Sequence, residues 1–151
     1  MIDIVNYMQN KIDQEIFESI HSLMHLYRSR MHRVLRDTSL DLSHMENKVL
    51  GFFARHPNST LSALAEHSSR DKAQLTRLIR VLKDKGLIEE NKDLNDRRKI
   101  LLNLTPEGQS VHEILHKESL TVCKDAVIGL DADECQSLIL LLDKLKKNLS
   151  T

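Results

Sequence analysis

From Asn10 to about Arg36, apolar side chains return every three or four residues, at Ile12, Ile16, Ile20, Leu23, Tyr27, Met31 and Val34. That spacing follows the helical turn, and no Gly or Pro interrupts it, so the stretch predicts one long amphipathic helix. The same scarcity of breakers runs through the chain: 151 residues hold four Gly and two Pro. With 40% apolar residues but only 3% aromatics, the composition predicts a mostly helical protein with an aliphatic core. The length suits one ordinary domain and is short for a peptidase with a substrate cleft.

Caps mark the remaining helices. In "SHME", Ser43 stands at an N-cap with Glu46 three residues on, so each satisfies an orphan amide of a helix that runs to about Arg55, before Pro57. Thr60 opens a short helix, "LSALAEH", and "SSRD" turns the chain into a longer one carrying Leu75, Leu78, Ile79 and Leu82, ended by Gly86. Two β-like runs, "GLIEE" and "KILLNLT", flank the polar "NKDLNDRR" and read as a hairpin. In "TPEG", Thr105 caps a helix to about Ile128, with Pro106 in its first position. Asp131 and Glu134 repeat the capping box and start a last helix. Its residues Leu138, Ile139, Leu140, Leu141, Leu142 and Leu145 cover most of its circumference, which suggests burial against a second subunit.

The expected fold class is therefore mostly α with a small β-wing: a winged helix-turn-helix plus N- and C-terminal dimerisation helices. The expected division is 1–36 for the first dimerisation helix, 40–104 for the winged lobe and 105–151 for the C-terminal dimerisation helices. Formal charge is zero over the chain, which by itself argues against a nucleic-acid partner. The charge is segregated, however: Arg70 to Lys99 holds ten Lys and Arg against six Asp and Glu, and the excess falls on the helix-turn-helix and hairpin. On the longer helix, Leu75, Leu78, Ile79 and Leu82 share one side at 100° per residue, while Ala73, Thr76, Arg77 and Arg80 point the other way and Lys72 and Gln74 flank them. Small Ala73 allows close approach, Gln74 and Thr76 can read base edges, and Arg77 can reach guanine or phosphate. A solvated helix face is the competing account of the same residues.

The segments "TLSALAEHSSRDKAQLTRLIRVLKDKGLIEE" and "DLNDRRKILLNLTPEG" resemble the MarR family of bacterial winged-helix regulators, and the helix pattern extends the resemblance over nearly the whole chain. The family's recognition-helix start is matched by Asp71, Lys72, Leu75, Thr76 and Arg77, and its wing motif by Asp96, Arg97 and Arg98. The resemblance implies that an arginine of the wing enters a minor groove, with Asp96 holding Arg98 through a salt bridge. The expected DNA-binding set is Arg70, Lys72, Ala73, Gln74, Thr76, Arg77, Arg80, Asp96, Arg97 and Arg98. One departure is that Glu89, Glu90 and Asn91 stand where family members often carry arginines, and carboxylates repel phosphate. The resemblance further implies a homodimer with intertwined first and last helices, bound to double-stranded DNA at a palindromic operator. It implies a repressor released by a small-molecule effector or by oxidation, with no cofactor.

Three features bear on sensing. His21, His25 and His32 form a stripe on the first helix near Arg28, and with Tyr27 they are candidates to line an effector pocket; plain surface histidines are the alternative. Cys123 and Cys135 sit on successive helices and could join on oxidation, or could be ordinary small core residues. "HEILH", His112 to His116, matches a written zinc-peptidase pattern, in which two histidines one turn apart hold the metal and Glu113 serves as base. The extended form of that motif fails, because neither Gly nor His follows where "KESLTVC" continues. The expectation is no metal site and no enzyme: Val111, Ile114, Leu115 and Val122 form a buried stripe, His112 and His116 lie at its edge, and Glu113 points away. A winged-helix module for protein contacts remains the third function class. The N-terminus lacks a signal-peptide pattern and no apolar run reaches roughly 20 residues, so a cytoplasmic protein without a membrane span is expected.

Overall fold

The computed structural model describes residues 4–37 and 41–150. Six helices and one hairpin follow in order: α1 (Ile4–Asp37), α2 (His44–Arg55), α3 (Leu61–Ser68), α4 (Lys72–Asp84), β1 (Ile88–Lys92), β2 (Ile100–Leu104), α5 (Pro106–Ala126) and α6 (Ala132–Leu149). This is the expected mostly helical fold with a small wing. Helix α1 begins six residues before the periodic stripe, because nothing in "IVNYMQ" interrupts a helix. Only its C-terminal part is covered: Met31 and Leu35 are buried, whereas Ile12 and Leu23 are 50% and 54% exposed.

Local chemistry accounts for the element ends. Ser43 Oγ accepts from Glu46 N at 3.1 Å while Glu46 Oε2 accepts from Ser43 N at 2.9 Å, the reciprocal capping box. Asp131 and Glu134 close the same box at α6. Helix α4 ends with Leu87 N donating to Leu82 O and Gly86 N to Lys83 O, both at 2.9 Å. That pattern needs a left-handed residue, and Gly86 supplies it at φ +72°. Strands β1 and β2 pair antiparallel with Ile88 opposite Leu104 and Lys92 opposite Ile100.

Leu35, Leu50, Phe53, Leu64, Leu75, Leu82, Leu102 and Leu115 belong to one core formed where α1, α2, α3, α4, the hairpin and α5 meet. An isolated β-bridge that the sequence did not announce adds to the wing: Ser59 pairs with Leu102, whose N donates to Ser59 O at 2.8 Å. Beside it the Asn58 and Asn103 amides pair, with Asn103 Nδ2 donating to Asn58 Oδ1 at 2.8 Å and Asn58 N to Asn103 Oδ1 at 2.7 Å. By contrast α6 buries none of its residues. An apolar groove runs between Ile12, Ile16 and Ile20 of α1 and Leu138, Leu141 and Leu142 of α6. Among the described residues no helix is long and apolar enough to cross a membrane.

Candidate nucleic-acid interface

Helix α4 divides as its sequence predicts. Leu75, Ile79 and Leu82 are buried against the lobe, and Lys72, Ala73, Gln74, Thr76, Arg77 and Arg80 are exposed. Ser69, in the left-handed conformation at φ +52°, ends α3 and turns the chain into α4. Lys72 Nζ donates to Ser62 Oγ at 3.3 Å, which ties the start of α4 to α3. Thr76 Oγ1 donates to Lys72 O at 2.7 Å, leaving the oxygen's lone pairs and the methyl group facing out. Arg77 and Arg80 enter no ion pair among the described residues and remain free cations.

The wing loop is stiffened by its own carboxylates. Asp93 Oδ1 accepts from Asn95 N at 2.9 Å and Asp96 Oδ1 from Arg98 N at 3.1 Å, turns typical of Asp. Asp96 thus holds Arg98 by its backbone amide. The implied salt bridge between the two side chains is absent among the described residues. Arg97 and Arg98 are exposed at this tip, and Leu94 beside them is 99% exposed. Behind the tip, Lys83 Nζ lies 2.7 Å from Glu90 Oε1, so one of the acidic residues on β1 is neutralised from α4.

An exposed, basic helix and a basic wing project from one lobe, and comparison with known proteins identifies the arrangement. A profile described as the MarR family matches residues 42–100. The multiple antibiotic resistance protein MarR of Salmonella typhimurium is 30% identical over 126 residues, spanning 82% of this chain and 88% of that protein. The chain belongs to the MarR family. MarR proteins are dimeric, DNA-binding transcriptional regulators and not enzymes, so the peptidase reading of HEILH is set aside. Among solved structures, a single-site mutant of MarR from Escherichia coli in complex with operator DNA is similar at a TM-score of 0.66 and 28% identity, covering 84% of this chain and 93% of that one. Staphylococcus aureus MarR in complex with salicylate and kanamycin is similar at a TM-score of 0.82 and 21% identity, covering 92% and 93%.

The residues expected to sense an effector are not gathered into one site. Tyr27 is half-buried, with its hydroxyl 2.7 Å from Ser119 Oγ, and it lines an apolar pocket of about 570 Å³ between α1 and α5. His21, His25 and Arg28 lie outside that lining and are exposed. Cys123 lines the same pocket and is exposed; Cys135 is half-buried, and both thiols are free.

A second pocket, of about 350 Å³ between α2, α3 and α4, was not foreseen in the sequence. Val49, Phe52, Leu64 and Leu75 give it an apolar floor, and Lys48, Arg55 and Arg70 give it positive charge. Arg70 therefore stands at this pocket, apart from the outward face of α4. Ser68 Oγ, on its lining, and His44 Nε2, at the start of α2, are buried without a hydrogen-bond partner among the described residues. Burial, with the charges of Lys48, Arg28 and Arg70, holds His44 below its ordinary pKa. A residue signal existed, since Lys48 and Arg55 lie two turns apart on α2, but only the packing of α3 shows that they share a hollow.

Of the HEILH residues, His112, Leu115 and His116 face α2. Val111, Leu115 and Val122 are buried as expected, but Ile114 is 49% exposed and leaves the predicted stripe, because α5 covers a narrower face than the sequence suggested. Glu113 points out and accepts from Gln109 Nε2 at 3.0 Å. The His112 and His116 rings stack 5.7 Å apart. Among the described residues, no group of three or more His, Cys, Asp or Glu is placed to hold a metal ion.

Proposed function

We propose that this protein is a homodimeric repressor acting in the cytoplasm on a palindromic operator. Residues 40–104 form the reading lobe, and 1–36 with 105–151 form the dimerisation half. Lys72, Ala73, Gln74, Thr76, Arg77 and Arg80 enter a major groove, Arg97 and Arg98 reach the neighbouring minor groove, and Asp96 fixes the wing turn. Arg70 adds phosphate contact from the edge of the helix-turn-helix. The observation that carries this reading is the exposure of one unpaired basic face on α4 beside a stiffened basic wing. Operator DNA on the similar Escherichia coli protein supports it. Half-sites then lie one DNA turn apart, roughly 10 bp centre to centre.

The apolar floor, the three cations and the orphaned Ser68 hydroxyl of the 350 Å³ pocket suit a small aromatic acid as effector. Salicylate in the similar Staphylococcus aureus structure supports that class. Because this pocket touches both α2 and the turn before α4, its filling changes the presentation of the recognition helix and releases DNA.

Fluorescence anisotropy with duplexes from the promoter of the protein's own operon tests the reading. Saturable binding that weakens steeply with salt is expected, as phosphate contacts release counterions. Binding that is absent, or indifferent to salt, assigns the winged helix to protein contacts instead.

A further inference from the structure

One large apolar side chain stands in full solvent among the cations of the wing. Leu94 is 99% exposed, whereas the other exposed large apolar residues of the winged lobe, Val81 and Ile100, keep more than half of their surface covered. The loop 93–99 that carries it also carries Arg97, Arg98 and Lys99, and Lys92 ends β1 just before it. All four cations are exposed, and none enters an ion pair among the described residues.

A slack loop would let a leucine fold back onto the lobe, where burial is favourable. This loop is tied on both sides of Leu94. Asp93 N donates to Lys99 O at 3.2 Å, and Lys99 N donates to Asp96 O at 3.0 Å. The Asp93 and Asp96 carboxylates accept from Asn95 N and Arg98 N within the same loop. The backbone that holds the arginines outward therefore holds the leucine outward with them, before any partner arrives.

The surroundings select what covers it. An apolar protein surface would bury Leu94 only by stripping water from four unpaired cations. A nucleic-acid groove satisfies both, with phosphates along its rims and stacked bases within. Leucine is among the side chains that minor-groove proteins press between base steps, which unstacks the step and kinks the duplex. We propose that Leu94 enters the minor groove beside the wing arginines and wedges against one base step. The proposal rests on the operator-binding reading and extends it. The arginines respond to the negative potential of the groove, while Leu94 responds to how readily the step opens. Pyrimidine–purine steps open most readily, so Leu94 gives the wing a sequence preference that needs no hydrogen bond to a base.

The test uses duplexes from the promoter of the protein's own operon, labelled with a donor and an acceptor dye at their ends and titrated with the full-length protein. Hydroxyl-radical footprinting locates the step under the wing. Binding should raise energy transfer as the duplex bends, and exchanging a pyrimidine–purine step under the wing for a GC step should weaken binding several-fold. Leu94→Ala should bind roughly fivefold more weakly, since the gain from burying a leucine is partly offset by unstacking. It should also lose the added energy transfer and the step preference, whereas Leu94→Met should keep both. The salt dependence of Leu94→Ala should match that of the unsubstituted protein because no charge is lost, while Arg98→Ala should lower the slope by about 1. Leu94→Ala that binds and bends DNA like the unsubstituted protein overturns the wedge and leaves the operator reading standing. So does an unsubstituted complex without added energy transfer, or loss of the dimer by Leu94→Ala in sedimentation, which assigns the leucine to a protein contact. If the unsubstituted protein binds no duplex, the operator reading itself falls, and the wedge with it.

Discussion

Lys85 Nζ lies 3.0 Å from Glu46 Oε2, the same oxygen that closes the capping box of α2. One carboxylate thus fixes the start of α2 and anchors the end of α4, and Lys85 also donates to Asp41 O. Glu46 is only 8% exposed, and Lys85 is the cation that faces it. Lys85→Met should cost about 2 kcal/mol, below the roughly 3–5 kcal/mol of breaking a fully buried pair. Chemical denaturation measures it, and a change within experimental error would show that the capping amides alone sustain the carboxylate.

Gly108 is the contact point between α5 and the exit of α4. A β-carbon there would stand 2.0 Å from Leu87 O, a clash with backbone that cannot rotate away. Gly108→Ala should destabilise the fold by about 1–3 kcal/mol. Ser110→Ala, exposed two residues on, should be near neutral in the same melting experiment.

On DNA, Arg77→Ala should weaken operator binding by about 1–3 kcal/mol and relax preference at one position, whereas Arg98→Ala should weaken it with the dimer intact. The acidic residues of β1 should act unequally. Glu89→Gln should tighten binding at low salt, while Glu90→Gln should matter less because Lys83 already pairs with Glu90. Equal effects of the two in anisotropy titrations would contradict that account.

His112 links stability to pH. Burial, with the nearby His116 and Arg55 charges, lowers its pKa from the ordinary 6.5, so the unfolded chain binds the proton more readily. Its contribution to stability is therefore present above pH 6.5 and lost as the pH falls through the depressed value of the folded state. Denaturation midpoints measured in chloride buffers should fall over that window, and His112→Gln should flatten the fall.

Leu141 is 58% exposed and borders the groove between α1 and α6. On the proposed role of α1 and α6 as dimerisation helices it is covered by the partner, so Leu141→Glu should convert dimer to monomer in sedimentation experiments. An unchanged dimer would place the interface elsewhere.

Much of this architecture was legible in the chain because its determinants are local. The Ser43 and Asp131 capping boxes, Gly86 at the end of α4 and Pro106 at the start of α5 each act over four or five residues, and all lie where the sequence put them. The outward set on α4 was equally readable, since helical geometry alone separates Arg77 from Leu75.

The order of elements, their caps and the polar face of α4 follow from the chain alone, because they depend on near neighbours and a fixed helical period. Tertiary structure decided the rest. It bridged Ser59 to Leu102 and left Ile114 half exposed. It also brought Lys48 and Arg55 between Ser68 on one side and His112 on the other. Those contacts join residues tens of positions apart, and their geometry is set by how helices cross, which no local period encodes.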